Sequence, residues 1–195
     1  MANYTVKAIM KNFEEMLIEM PFSKVTVSAL VERCEISSNT FYYHFRDIYE
    51  LLNAWLTVKE KKYINIADGI PDWPESLKLV LKVMQENSKL VYHVSDFIPK
   101  DRLEFFIFGW AQERFYEVAK KRIGNAAVSE SFTRKLAGFY CYSALGFVLN
   151  FLWNRMKMNV DESVDQLSGI FYGVTDYMIA KETGALNQNE NKKTE

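Results

Sequence analysis

Cysteine is scarce. Cys34 and Cys141 are the only two in 195 residues, too few for a disulfide framework and too isolated for a metal site. Both are expected as reduced, buried thiols. Histidine is equally rare, and His44 and His93 lie far apart in the chain. The eight glycines stand singly at breaks or on helix faces, so there is no Gly-rich phosphate loop, and no nucleophile elbow or obvious carboxylate pair accompanies them. The expectation is a protein with no catalytic residues, no cofactor and no metal site, that is, not an enzyme. The formal net charge is −1. That excludes a strongly basic nucleic-acid binder on average charge, though not a local basic face. The N-terminal run MANYTVKAIMKNFEEML has no long apolar stretch, so no signal peptide is read there and a cytoplasmic location is expected.

Hydrophobic residues make up 49% of the chain and charged residues 25%, enough apolar material for a real core. The one long uncharged run is Leu136 to Asn154, 19 residues, close to membrane-spanning length. Tyr140, Tyr142, Ser143, Gly146 and Asn150 keep it only moderately apolar. It is read as a helix buried on most sides and not as a membrane helix.

Helical periodicity dominates. Val6, Ile9, Met10, Phe13, Leu17 and Met20 form one apolar stripe, which Pro21 stops. Thr26 offers an N-cap hydroxyl to a short helix, and Ser37 offers one to the next. Asp47 with Glu50 starts a longer helix that runs to about Asn65. The segment Ala67 to Pro74 is the clearest breaker, and Leu77, Val80, Leu81 and Met84 continue the helical pattern after it. Pro99 marks another break. A helix from about Asp101 to Ile123 closes at Gly124-Asn125. The next opens at Ser129 or Glu130 and runs to about Met156, and the last spans Asp161 to Gly184. No strand-like alternation and no internal repeat competes. The polar tail 187–195 is expected to be frayed.

The informative segment is Phe22 to Leu52, FSKVTVSALVERCEISSNTFYYHFRDIYELL. It reads as a short helix, a tight turn over Cys34-Glu35-Ile36-Ser37, and a second short helix. Ser37, Ser38, Asn39 and Thr40 are small enough to let a helix N-terminus approach DNA closely. Tyr42, Tyr43 and His44 can donate hydrogen bonds to phosphate oxygens, and Arg46 supplies a cation just beyond.

This run resembles the DNA-binding signature of the tetracycline-repressor (TetR) family, T-V-x-x-(I/L)-x-x-x-x-(V/I)-S-x-x-T-(L/F)-Y-x-H-F. Thr26, Val27, Leu30, Ile36, Ser37, Thr40, Phe41, Tyr42, His44 and Phe45 stand at those positions. The run from Thr40 to Leu52 is also similar to the branch of dihydroxyacetone-kinase operon regulators. The resemblance implies an all-α fold of about nine helices. A three-helix helix-turn-helix head (1–48) would precede a helical effector-binding and dimerisation domain (49–186). It further implies a ligand-responsive, homodimeric repressor that binds double-stranded DNA at a palindromic operator, with no membrane partner. By the resemblance Thr40, Tyr43 and His44 contact phosphates or base edges and Ser38 and Asn39 face the major groove. Thr26, Ser37 and Arg46 complete the DNA-binding set, while Tyr42 and Phe45 pack inward.

Three positions depart from the family pattern. Glu35 stands where Gly is common, Ser38 where a basic residue is common, and Ile48 where a phosphate-binding Lys is common. Residues 1–62 carry eight basic and eight acidic side chains, so the head is neutral. Lys7, Lys24 and Arg46 are the cations to follow, since phosphate neutralisation drives much of DNA affinity. The neutrality sustains a second reading, a protein-interaction co-regulator with a weak DNA-binding head.

The remaining two-thirds of the chain is rich in aromatics. They serve either a core and dimer seam or, as the resemblance implies, an apolar pocket for a small-molecule effector. His93, Phe106, Trp110, Tyr140 and Phe147 are the expected pocket residues. Ser143, Gly146 and Asn150 in one helix, and Gly169, Gly173 and Tyr177 in the last, are expected at the dimer interface, where small residues let backbones approach and a two-fold partner covers the uncharged helix.

Overall fold

The structure, a computed structural model, describes residues 2–68, 72–95 and 97–185; within them the side chains of residues 2, 3, 66–68, 100, 103, 104, 106, 107 and 110 are not described. Nine α-helices are formed there: α1 (Ala2–Glu19), α2 (Val27–Arg33), α3 (Ser38–His44), α4 (Ile48–Asp68), α5 (Trp73–Glu86), α6 (Ser88–Ser95), α7 (Lys100–Ile123), α8 (Glu130–Trp153) and α9 (Val160–Glu182). A 3-10 turn at Phe22–Lys24 lies between α1 and α2. No strand occurs among the described residues. The all-α expectation holds, and the ends follow local chemistry. Thr26, Ser37, Ser129 and Asn159 each accept a backbone N–H at an N-cap, a contact that contributes about 1 kcal/mol. Gly124 and Gly184 adopt positive φ of 57° and 72° just past α7 and α9, the left-handed conformation that lets a helix end without a Cβ clash. One break has no strong sequence signal: α5 and α6 part at Asn87.

The chain divides into two compact units, Met1–Asp68 with Val83–Pro99, and Gly69–Lys82 with Lys100–Glu195. The first takes in α1 to α4 and α6. Its core joins Ile9, Phe13 and Leu17 of α1, Leu30 of α2, Phe41 of α3, Leu51 and Trp55 of α4, and Leu90 and Val94 of α6. Burying each large side chain contributes about 1.5–3 kcal/mol. Phe13 sits edge-to-face with both Phe22 and Trp55, 6.2 Å between centroids in each case. Glu14 accepts from the Trp55 indole at 3.1 Å and from Lys59 Nζ at 2.6 Å, tying α1 to α4.

The second unit packs α7, α8 and α9 with the first residues of α5. Trp73, Phe115, Tyr140 and Phe171 form its aromatic centre, with Ala111, Ala119 and Ala137 permitting close helix approach. Tyr140 stacks on Phe171 at 4.1 Å. Lys78 pairs with Asp165 at 2.6 Å and Lys82 with Asp161 at 2.7 Å, linking α5 to α9. Arg122 pairs with Asp176 at 2.6 Å. Helix α8 is long and apolar enough to cross a membrane by length and composition, and within the single chain it is covered on one face. Leu136, Tyr140, Cys141, Ala144 and Phe151 are buried, while Phe139, Tyr142, Gly146, Asn150 and Trp153 are exposed.

Candidate nucleic-acid interface

The site begins with the turn between α2 and α3. Cys34 caps α2, and Glu35 then takes φ of 53°. That left-handed conformation costs a residue with a Cβ about 1–2 kcal/mol. The turn closes because Glu35 N–H reaches Glu32 O at 3.1 Å and Ile36 N–H reaches Val31 O at 3.0 Å. Ser37 Oγ accepts from Thr40 N–H at 3.1 Å and lies 2.9 Å from Thr40 Oγ1. The start of α3 is thus fixed by a hydroxyl pair on its exposed side.

Helix α3 is two-sided. Phe41 is fully buried and Phe45 nearly so, while Ser38, Asn39, Tyr42 and Tyr43 are exposed and Thr40 and His44 half-buried. Tyr43 is 81% exposed, its ring edge-on to His44 at 4.9 Å. Tyr42 is a correction: the expectation turned it inward, yet it is 56% exposed. Phe41 and Phe45 occupy the inward face one turn apart, and Tyr42 is rotated about 100° from Phe41.

The supports of α3 are polar as well as apolar. Arg33 at the end of α2 makes a two-pronged pair with Glu19 of α1, at 2.7 and 2.8 Å, and reaches Glu15 at 3.2 Å. The hydrogen bond from Arg33 holds the Glu19 carboxyl below its ordinary value, and the same contacts raise Arg33. At the start of α4, Asp47 accepts from Glu50 N–H at 2.8 Å and Glu50 accepts from Arg46 N–H at 2.6 Å. The capping pair read from sequence is present, with Glu50 reaching one residue further back than a capping box does. Asp47 also accepts from Arg46 Nε at 3.1 Å. The backbone bond from Glu50 and then the Arg46 contact lower its carboxyl pKa.

Thr26, Ser37, Ser38, Asn39, Thr40, Tyr43, His44 and Arg46 therefore fall between the start of α2 and the start of α4, all within one unit. The family model for bacterial regulatory proteins of the tetR family matches residues 9–55, the stretch just described. The TetR C-terminal model, described as a transcriptional regulator C-terminal region, matches residues 71–173, more than half of the chain. The chain belongs to the TetR family.

This TetR-family chain is 28% identical over 107 residues to the HTH-type dhaKLM operon transcriptional activator DhaS of Lactococcus lactis subsp. lactis strain IL1403. The match covers 54% of this chain and 56% of that relative, so the chain spans just over half the length of the curated relative it matches. Among solved structures, the dihydroxyacetone kinase operon activator DhaS aligns with a TM-score of 0.65 and 17% identity, over 89% of this chain and 97% of that one. A TerR/AcrR-family transcriptional regulator from Aquifex aeolicus VF5 aligns with a TM-score of 0.58 and 20% identity, over 85% and 99%. At these identities the solved structures speak for the fold alone.

The expected pocket residues of this TetR-family chain divide between the two units, and some lie outside the described side chains. His93 is half-buried. It donates from Nδ1 to the Leu17 carbonyl at 2.7 Å and belongs to the unit that holds the helix-turn-helix. A half-buried imidazole beside Leu90 and Val94 needs an acceptor, and the end of α1 supplies it. Tyr140 is a core residue: its hydroxyl donates to Phe171 O at 3.0 Å and meets Thr175 Oγ1. Burial, with the Asp176 carboxylate adding, pushes that hydroxyl up to about 12. Phe147 is half-buried, and the side chains of Phe106 and Trp110 lie outside the described residues. Of the expected interface residues, Gly146, Asn150, Gly169, Gly173 and Tyr177 are exposed and Ser143 is half-buried. A Cβ built at Gly146, Gly169 or Gly173 meets nothing within 4 Å.

Proposed function

We propose that the protein is a DNA-binding transcriptional regulator acting as a cytoplasmic homodimer, each α3 entering the major groove at one half of a palindromic operator. The observation that carries this reading is the two-sided α3, with Phe41 and Phe45 inward and Ser38, Asn39, Tyr42 and Tyr43 outward. Thr26 and Ser37 keep their capping bonds and offer their hydroxyl protons outward to phosphate, as a hydroxyl both accepts and donates. Thr40, Tyr43, His44 and Arg46 complete the contact set, with Tyr42 added.

A second copy covers the open face of α8 and α9. Phe139, Tyr142, Trp153, Ile170 and Tyr177 are large and exposed there, and Gly146 and Gly173 leave room for a partner backbone. A small molecule that shifts the packing of α7–α9 is the proposed control, with His93, Phe106, Trp110, Tyr140 and Phe147 as the expected pocket residues. The resemblance to the TetR family makes repression the first reading of its sign. The DhaS relatives are named activators, which favours activation as the second.

The test is fluorescence anisotropy against the protein's own upstream intergenic DNA, with a scrambled duplex as control. Selective binding supports a DNA-binding regulator, and reporter transcription from the bound site then gives the sign. Equal affinity for both duplexes at low salt overturns it in favour of the co-regulator reading.

A further inference from the structure

We infer that this head grips the DNA backbone chiefly through neutral tyrosine hydroxyls, those of Tyr42, Tyr43 and Tyr49, and so binds its operator with weak salt dependence. The inference rests on the DNA-binding reading above and concerns how the contact is made. Between Phe22 and Glu50 the chain carries three cations, Lys24, Arg33 and Arg46, against four acids, Glu32, Glu35, Asp47 and Glu50. Arg33 is held by Glu19 and Glu15, and Arg46 by Asp47. Lys24 is exposed and, among the described residues, has no ion pair. Lys59 is engaged by Glu14. Lys61 and Lys62 lie about 20 Å along α4 from its start, at 1.5 Å per residue. The start of α4 already carries two carboxylates, with Asp47 accepting from Glu50 N–H and Glu50 accepting from Arg46 N–H, which offsets its positive end.

Neutral donors are plentiful on the same segment. Tyr43 is 81% exposed, Tyr49 60% and Tyr42 56%. Among the described residues none of the three hydroxyls has a hydrogen-bond partner. The Tyr49 ring packs edge-on against Phe22 at 5.3 Å, beside the turn that carries Lys24. Phenolic hydroxyls donate to phosphate oxygens without releasing a counterion for a cation.

The experiment uses the full-length protein and a duplex it selects from a randomised library, with affinity measured across a salt series. Lys24 and Arg46 in each of two heads give a slope of log K on log salt of about −3.6, which the exposed Lys7 of α1 would deepen to about −5.4 if it too neutralised a phosphate, and a protein neutralising six to ten phosphates gives about −5 to −9. A slope no steeper than about −4 supports the inference, and a steeper one overturns it while leaving the regulator reading intact. Failure to select any sequence overturns the regulator reading itself. Tyr49→Phe is expected to lower affinity about fivefold to tenfold at every salt concentration with the slope unchanged. Unchanged affinity in a variant of wild-type helicity overturns the assignment of Tyr49. Lys24→Gln is the contrasting variant, expected to flatten the slope by about 1.8 for two heads.

Discussion

The exposed aromatics of the two units differ in kind. In the unit that carries α3 they include Tyr42, Tyr43 and Tyr49, each with a polar tip, next to Ser38 and Asn39. In the other unit they include Phe139 and Trp153, with Tyr142 and Tyr177 between and the exposed Ile170 nearby, on helices that carry Gly146 and Gly173. A ring with a hydroxyl serves a wet, polar partner such as a phosphate backbone. A run of bare rings flanked by glycine serves a dry one, such as a second copy of the same helices. Aromatic richness alone does not distinguish these uses; the tip of the side chain and its neighbours do.

The difference is sharpest when each surface is broken separately. Thr40→Ala with Tyr43→Ala is expected to reduce operator affinity more than 100-fold, about 2.7 kcal/mol or more, with helicity and dimer mass unchanged; retained affinity by anisotropy would remove α3 from the interface. Next in size is a charge at Gly146 or Gly173. A side chain fits there within the single chain, so Gly146→Asp is expected to give folded monomers by sedimentation, and a persistent dimer would move the interface elsewhere. Tyr140→Phe strips a buried hydroxyl from Phe171 O and Thr175 and is expected to cost about 1–2 kcal/mol in a denaturant melt. No loss would mean that the hydroxyl pair adds nothing to the core. Glu35→Gly relieves the left-handed turn and is expected to raise the stability of the head by about 0.5–1 kcal/mol, seen as a higher melting temperature; a decrease would show the turn unstrained.

Acid is expected to have the smallest effect. Glu19 titrates below its ordinary value of 4.5 because of Arg33. A carboxylate lowered on folding contributes stability that is present above its unfolded value and lost as pH falls through the folded one. Arg33→Gln should therefore flatten the acid limb of stability below about pH 4.5, measured as melting temperature against pH. An unchanged limb would mean that the Glu19–Arg33 bond contributes nothing to the fold.

The head was legible in the residues because its constraints are local. Thr26 and Ser37 cap their helices as read, and Glu35 takes a positive φ at the position where Gly is common in the family. Tyr42 was misread because a two-turn helix has one inward line, and Phe41 and Phe45 fill it. His93 sits three residues from Leu90 on the inward stripe of α6, a hint of burial. The acceptor it needs, the Leu17 carbonyl, is 76 residues away, and no local pattern reports that.

The chain by itself determined the helices and their ends, the polar outward set of α3 and the near-neutral charge of the head. Those follow from caps, prolines, glycines and the 3.6-residue period, which act over a few residues. Tertiary structure alone decided that α4 and α6 join the core of Phe13 and Phe41, that Arg33 and Lys59 are bound by the acids of α1, and that α8 is buried on one face and open on the other. Each of these depends on which distant side chain arrives within contact distance, and burial and ion pairing are properties of that meeting rather than of the sequence around either residue.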